Sequence, residues 1–179
     1  MAKLIFGMMQ SLDGYVAHAD GSLLPPPDPR LHQHFNDRVR GLAGSVYGRR
    51  IYEIMRYWDD DQPDWDAVDH DFAAAWRAKP KWVASRTLTS VGPNATLIQG
   101  DVVEFVHKLK GEVDGDIDVA GPDLAGSLSA AGLVDEYRLY FLPFVLGSGK
   151  PFFARPQPPL RLVGTEIVGE VAVLAKYAT

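Results

Sequence analysis

Gly44-Ser45-Val46-Tyr47-Gly48-Arg49-Arg50-Ile51-Tyr52-Glu53-Ile54-Met55 sets the fold class. Gly44 to Gly48 reads as a short strand that ends in glycine, and Arg49 to Met55 has the composition of a helix leaving it. The segment is therefore a strand-to-helix turn. The same succession recurs downstream. Lys81 to Ala84 reads as a strand followed by Ser85-Arg86-Thr87, and Ile117 to Ala120 as a buried strand. Gly121-Pro122-Asp123 then opens a helix through Ala131, which Gly132 ends. Strands that alternate with helices point to one layered α/β domain rather than to separate all-α and all-β pieces.

The remaining segments fit that plan. Met1 to Gln10 carries one lysine and a short apolar run, which predicts the first buried strand and is too short for a signal-peptide core or a membrane span. Ser11 to Tyr15 reads as a turn, and Leu23 to Pro29, with four prolines, as an exposed irregular loop. A helix is predicted from Asp28 or Pro29 to Leu42, with Asp28 as N-cap and Leu31, Phe35, Val39 and Leu42 at helical spacing. Trp58 to Trp76 reads as a loop and then a helix, Thr96 to Gln99 as a short strand, and Asp101 to Lys110 as a helix capped by Asp101. Tyr137 to Val145 is predicted as one long strand. Leu160 to Val168 and Glu170 to Tyr177, hinged at Gly169, form a β-hairpin whose second strand is apolar on both faces. Such a strand is expected to be covered on both sides, one of them by a second subunit, so the chain is expected to form a homodimer.

Composition narrows the function classes. The 179 residues include 46% hydrophobic ones, enough for a single domain spanning 1–179 with one sizeable core. With 18 Lys and Arg against 23 Asp and Glu, the net charge of -5 argues against nucleic acid or anionic membrane as a partner of the whole surface. Any anion must be held locally. The absence of cysteine excludes disulfides, thiolate metal sites and cysteine nucleophiles, and fits a cytoplasmic setting.

Three turns share one character: Gly48-Arg49-Arg50, Ser85-Arg86-Thr87 and Gly121-Pro122-Asp123-Leu124. In open α/β sheets ligands bind at the carboxyl ends of strands, where helix N-termini offer free N–H groups and partial positive charge. Glycine lets a backbone approach a phosphate, while arginine, serine and threonine supply charge and donors. Together the turns form a seat for a phosphorylated cofactor. Asp123 opposes it, since a carboxylate in the first helical turn competes with a phosphate for the same dipole.

These residues also carry a family resemblance. Met9-Gln10-Ser11-Leu12-Asp13-Gly14-Tyr15-Val16-Ala17 resembles the opening motif of the riboflavin-type reductases, the RibD C-terminal domain and its stand-alone relatives in the dihydrofolate reductase superfamily. Gly48 to Glu53 resembles the family's Gly-Arg-x-Thr-Tyr-Glu turn, Lys81 to Leu88 its Lys-x-Val-x-Ser-Arg-Thr segment, and Ala120 to Leu124 its glycine pair. Gly132 to Tyr137 followed by Leu142 to Phe153 is similar to its closing block.

The resemblance implies a three-layer α/β/α fold with a mixed central sheet and NADPH as cofactor. By motif, Gly48, Arg49 and Arg50 would meet the diphosphate or 2′-phosphate, Ser85, Arg86 and Thr87 the adenosine end, and Gly121, Pro122, Asp123 and Leu124 the pyrophosphate. Met9 and the turn from Ser11 to Gly14 would lie near the nicotinamide and the substrate, and the loop from Gly147 to Lys150 would border the substrate, with Lys150 meeting an anionic group there. Pro122 replaces a glycine of many relatives and removes one N–H donor. Asp13 is a candidate to orient the substrate or relay a proton; the plainer reading, favoured over it, is an ordinary Asp-Gly turn whose carboxylate bonds its own backbone. Leu31 to Asp37 places no acid where dihydrofolate reductases use one, so the chain resembles the pyrimidine-reductase branch more. It lacks that enzyme's zinc-binding deaminase domain.

Other signals are discounted. His32 and His34 fall on different helix faces and no third ligand has metal-site spacing. The acids from Asp59 to Asp71 read as an exposed acidic surface, and Trp58, Trp65 and Trp76 as core. Gly147-Ser148-Gly149-Lys150 lacks the spacing of a Walker loop and has no helix after it. The sequence thus predicts an NADPH-dependent reductase of a small heterocyclic substrate. A catalytically idle nucleotide- or flavin-binding module on the same fold is the alternative, which a yellow colour or binding without turnover would reveal.

Overall fold

In the computed structural model, which describes residues 1–179, strand β1 (Leu4–Gln10) lies in the interior of the sheet. Leu4, Ile5 and Phe6 are buried because successive side chains point to opposite faces and both faces are covered. Their backbone is tied down as well. Leu4 N donates to Asp135 Oδ2 at 2.7 Å, and the buried Lys110 Nζ donates to the same oxygen at 2.6 Å.

The other elements follow in chain order: β2 (Tyr15–Ala17), α1 (Pro29–Gly41), β3 (Gly44–Gly48), α2 (Arg49–Met55), a 3-10 turn (Arg56–Trp58), α3 (Ala67–Ala78), β4 (Lys81–Ala84), β5 (Ala95–Leu97), α4 (Val102–Glu112), β6 (Ile117–Ala120), α5 (Pro122–Ala130), β7 (Glu136–Phe141), β8 (Lys150–Pro151), β9 (Arg161–Val168) and β10 (Ala172–Ala178). Eight strands form one sheet in the order β5-β4-β3-β6-β1-β7-β10-β9, and β2 pairs with β8 separately. Every pairing in the large sheet from β5 to β7 is parallel, while β10 runs antiparallel to both β7 and β9. The fold is the expected mixed α/β sheet with a C-terminal hairpin.

Alternation along the strands assigns the helices to two layers. Phe6, Val46 and Val119 pack with Val106 and Leu109 of α4 and with Ala125 and Leu128 of α5. On the opposite face Tyr140 and Leu174 pack with Leu31 of α1, and Trp76 Nε1 of α3 donates to Tyr47 Oη at 2.9 Å. The caps agree with the sequence: Asp28 accepts from Arg30 N and Leu31 N at 3.0 Å, and Asp101 from Val103 N at 2.8 Å.

Two expectations need correction. The strand predicted from Tyr137 to Val145 ends at Phe141. Pro143 has no N–H, Phe144 N folds back onto Leu142 O at 2.8 Å, and the chain leaves the sheet there. Within the proline loop Leu24 is buried in the cluster around Leu31, because its side chain fills the gap beside α1. The hairpin buries Ala172, Leu174 and Ala175, yet Ile167 is 78% and Val173 45% exposed. That face of β9 and β10 extends past the cover of the helices.

Candidate active site

The parallel strands β4, β3, β6 and β1 end side by side at one edge of the sheet, and there a cavity of about 740 Å³ opens. One wall is made by Gly48, Arg49 and Arg50 at the start of α2 and by Gly121 to Leu124 at the start of α5. The facing wall is β2 with the loop from His18 to Gly21, Leu23, and Ser148 to Lys150 around β8. Met8 forms the floor, and Ile51 and Ile54 of α2 face inward.

Backbone shape fits this wall for close approach. Gly121, the N-cap of α5, has φ +111, and a Cβ there would sit 3.4 Å from Ile51 Cγ1. The first-turn amides of Asp123 and Leu124 have no partner inside the helix, whereas Pro122 has no amide to offer. With only seven residues, α2 contributes mainly its two arginine side chains. Arg49 Nη1 lies 3.8 Å from Glu53 Oε1, and Arg50 reaches over toward Gly21, where an added Cβ would be 3.1 Å from Arg50 Nη2.

Gly48, Arg49, Arg50, Gly121, Pro122, Asp123, Leu124 and Lys150 thus come together from the sequence-predicted set. The others do not. Ser85, Arg86 and Thr87 occupy the next turn along the same edge, outside the cavity; Ser85 Oγ accepts from Thr87 N at 3.1 Å and Leu88 N at 3.0 Å. Met9 points to the opposite face and packs with the cluster of Leu31 and Tyr140. Met8, one residue earlier, shares the face of Phe6 and reaches the cavity, because a strand reverses sides at every residue.

Ser11, Asp13 and Gly14 lie outside the cavity walls and hold the loops behind them. Ser11 is buried, and its Oγ donates to Asp13 Oδ1 at 2.6 Å while accepting from Tyr15 N at 3.0 Å. Asp13 also accepts from Leu146 N at 3.1 Å and from Gly147 N at 2.7 Å. The Ser11 hydroxyl and these amides hold the Asp13 carboxyl below the usual carboxylate range, so it is a poor proton donor near neutrality. The Asp13 carboxylate thus joins two segments distant in sequence, a contact that the reading of an ordinary turn bonded to its own backbone does not include. Gly14 O accepts from Phe152 N at 2.9 Å and completes the connection to β8.

The tryptophans also lie off the cavity. Trp76 is core, while Trp58 and Trp65 stack at 4.9 Å with Phe72 and Tyr57 beside α3. Several nearby acids are engaged locally: Asp66 and Asp69 form a capping box, Asp61 pairs with Arg77 and Asp71 with Arg40. The residues missed by the sequence reading are Met8, Val16 to Gly21, Leu23, Ile51 and Ile54. Strand alternation could have singled out Met8, and helical spacing Ile51 and Ile54; the β2–β8 pairing that brings in the rest leaves no local signal.

The family model of the RibD C-terminal domain matches residues 2–174. The chain belongs to the RibD C-terminal domain family. It is 28% identical to the uncharacterized protein YyaP of Bacillus subtilis over 98% of this chain and 94% of that one. A second Bacillus subtilis protein, the uncharacterized YwjB, is 26% identical over 96% and 95%. A provisionally assigned riboflavin biosynthesis protein from Shewanella sp. PV-4 shares the fold with a TM-score of 0.75 at 24% identity, over 99% of this chain and 98% of that chain. Acinetobacter baumannii RibD superposes with a TM-score of 0.70 at 15% identity, and the chain spans 58% of its length. A Thermotoga maritima diaminohydroxyphosphoribosylaminopyrimidine deaminase/5-amino-6-(5-phosphoribosylamino)uracil reductase shares the fold with a TM-score of 0.69 at 12% identity, over 56% of that chain. No helix here is long and apolar enough to cross a membrane.

Proposed function

We propose that this RibD C-terminal family member is an NADPH-dependent reductase of a small heterocyclic substrate. Support comes chiefly from one arrangement: the arginine pair that begins α2 and the glycine-opened N-terminus of α5 stand on adjacent strands at one side of a 740 Å³ cavity. The cavity is in the size range of small-molecule and cofactor sites. The residues present suit the cofactor in charge and shape, with Asp123 and Asp20 the opposing groups.

When bound, the reduced nicotinamide would supply the hydride. Arg49, Arg50 and Lys150 would hold phosphate oxygens, with the free amides of Asp123 and Leu124 adding donors. The turn at Ser85 to Thr87 would extend the seat along the edge toward the adenosine end. Met8, Val16, Leu23, Ile51 and Ile54 would exclude water from the reacting ring and fix its plane, which is the main work asked of a protein in hydride transfer. The diaminohydroxyphosphoribosylaminopyrimidine deaminase/5-amino-6-(5-phosphoribosylamino)uracil reductase of Thermotoga maritima shares the fold at 12% identity, and a ring-bearing substrate of that kind is the class proposed.

Calorimetric titration with NADPH and NADH tests this reading, since no tryptophan lines the cavity to report binding by fluorescence. NADPH is expected to bind more tightly than NADH. Arg49→Ala or Arg50→Ala should weaken it about tenfold, the loss of one charge-assisted contact, and Arg86→Ala less. Failure of both nucleotides to bind would remove the proposal. We propose as well that the uncovered face of β9 and β10 joins two copies of the chain, and that the protein works in the cytoplasm.

A further inference from the structure

Lys150 Nζ lies 2.6 Å from Asp123 Oδ2, and this contact ties the two walls of the cavity together. Lys150 belongs to β8, and Asp123 to the first turn of α5. The origin of the lysine is fixed. A Cβ on Gly149 would sit 2.2 Å from Ala17 O, so glycine alone lets β8 lie against β2, and Asp13 clamps the preceding Leu146 and Gly147. Lys150 therefore reaches Asp123 from a held position.

The pair contributes little to the fold. Asp123 is 77% and Lys150 38% exposed, and ion pairs this open to solvent are worth little in stability. Its effect on the cavity is larger. A carboxylate at the N-terminus of α5 repels an anion from the amides of Asp123 and Leu124 and offsets the helix dipole. An ammonium has three donors and Asp123 takes one, which leaves two for a ligand. Pro122 has already removed one backbone donor from the same turn.

We propose that Lys150 and Asp123 act as one coupled unit that sets the affinity of the cavity for anionic ligands, with Lys150 masking the Asp123 charge while donating to the ligand. The inference rests on the anion seat of the proposed function but not on which nucleotide fills it. Asp123 thereby discriminates. Ligands that cannot engage Lys150 gain no donor from the pair, whereas a diphosphate meets a lysine already in place.

The test is a double-mutant cycle on the full chain with inorganic pyrophosphate and, separately, NADPH as probes, using Asp123→Asn, Lys150→Met and the double variant. Lys150→Met should weaken pyrophosphate by about tenfold or more, because it removes a donor and unmasks the carboxylate. The double variant should recover most of that loss, and Asp123→Asn alone should bind more tightly than the parent. Thermal midpoints are expected to stay within about 2 °C across the set, which separates the effect from misfolding. Equal weakening in Lys150→Met and the double variant overturns the coupling, as does an unchanged affinity in Lys150→Met. If pyrophosphate follows the cycle while NADPH does not bind, the pair stands and the nucleotide reading falls. If NADPH binds equally to all four proteins, the reverse holds, and a parent protein that binds neither probe overturns both.

Discussion

The Gly147 amide donates to Asp13 Oδ2 at 2.7 Å, across 134 residues of sequence. Asp13 is thus a positioning residue: it fixes the turn that leads into β8 and hence Lys150. Asp13→Ala should lower the thermal midpoint and weaken NADPH several-fold. Asp13→Asn, which keeps an acceptor oxygen, should restore much of both. A proton-relay role would instead show as a loss of kcat in Asp13→Asn, with an altered pH profile and undiminished NADPH affinity.

Gly149 offers a sharper steric test. Gly149→Ala forces a Cβ to 2.2 Å from Ala17 O and should cost about 1–3 kcal/mol in urea unfolding. Gly164→Ala, where no atom lies within 4 Å of the added Cβ, should change stability by less than about 0.5 kcal/mol. Equal costs at the two sites would mean that β8 is not held as described.

Stability should depend on pH through Arg38 and Asp118, which form an ion pair on the sheet face beside Gly7. Burial pushes Asp118 up to about 6, with the Arg38 and Arg138 guanidiniums opposing a larger rise. An acid whose folded value is raised binds its proton more tightly in the native state, so its contribution falls as pH rises from the unfolded value of 3.8 through about 6. Arg38→Met should therefore cost more at pH 8 than at pH 5, with a loss of up to about 3–5 kcal/mol at the higher pH, where Asp118 is left charged. An equal loss at both would contradict the assignment.

The acid limb has the opposite sign. The Arg40 guanidinium lowers Asp71, and Asp28 is lowered because the amides of Leu31, Glu170 and Arg30 outweigh the upward push of burial. Both contribute stability above their unfolded value of 3.8 that is lost as pH falls through their folded values. Asp71→Asn should flatten the drop in thermal midpoint below about pH 4.

The layered fold could be read because each buried strand and its following turn are local patterns, and Gly48, Gly121 and the cap residues Asp28 and Asp101 mark element ends without reference to the rest of the chain. The cavity could be read only on one side. Arg49, Arg50 and the turn at Gly121 announce themselves by type and place. The motif points to Met9 rather than Met8 because it carries composition but not the parity of the strand. His18 to Leu23 carry no such signal, since only the pairing of Tyr15 with Pro151 brings them to the site. The proline-rich stretch also hides Leu24, whose burial depends on α1 and the hairpin.

The exposed side of the hairpin gives an assembly prediction. Ile167 pairs across the strands with Val173, and both remain open to solvent. If two copies meet there, the parent protein should scatter light as a dimer at micromolar concentration, and Ile167→Glu with Val173→Glu should give a folded monomer. A parent that is monomeric under those conditions would sink the idea.

The interior place of β1 also bears on how the chain reaches its native state. Leu4 aligns with Ile117, and Ile5 with Glu136, so this strand waits for partners synthesised roughly a hundred or more residues later. Pairings between such distant segments close large loops and slow the rate-limiting step. During synthesis the apolar run from Leu4 to Phe6 stays open to chaperones and to misassociation until β6 and β7 emerge. The ligand cavity is then among the last features to form, because its second wall needs Lys150.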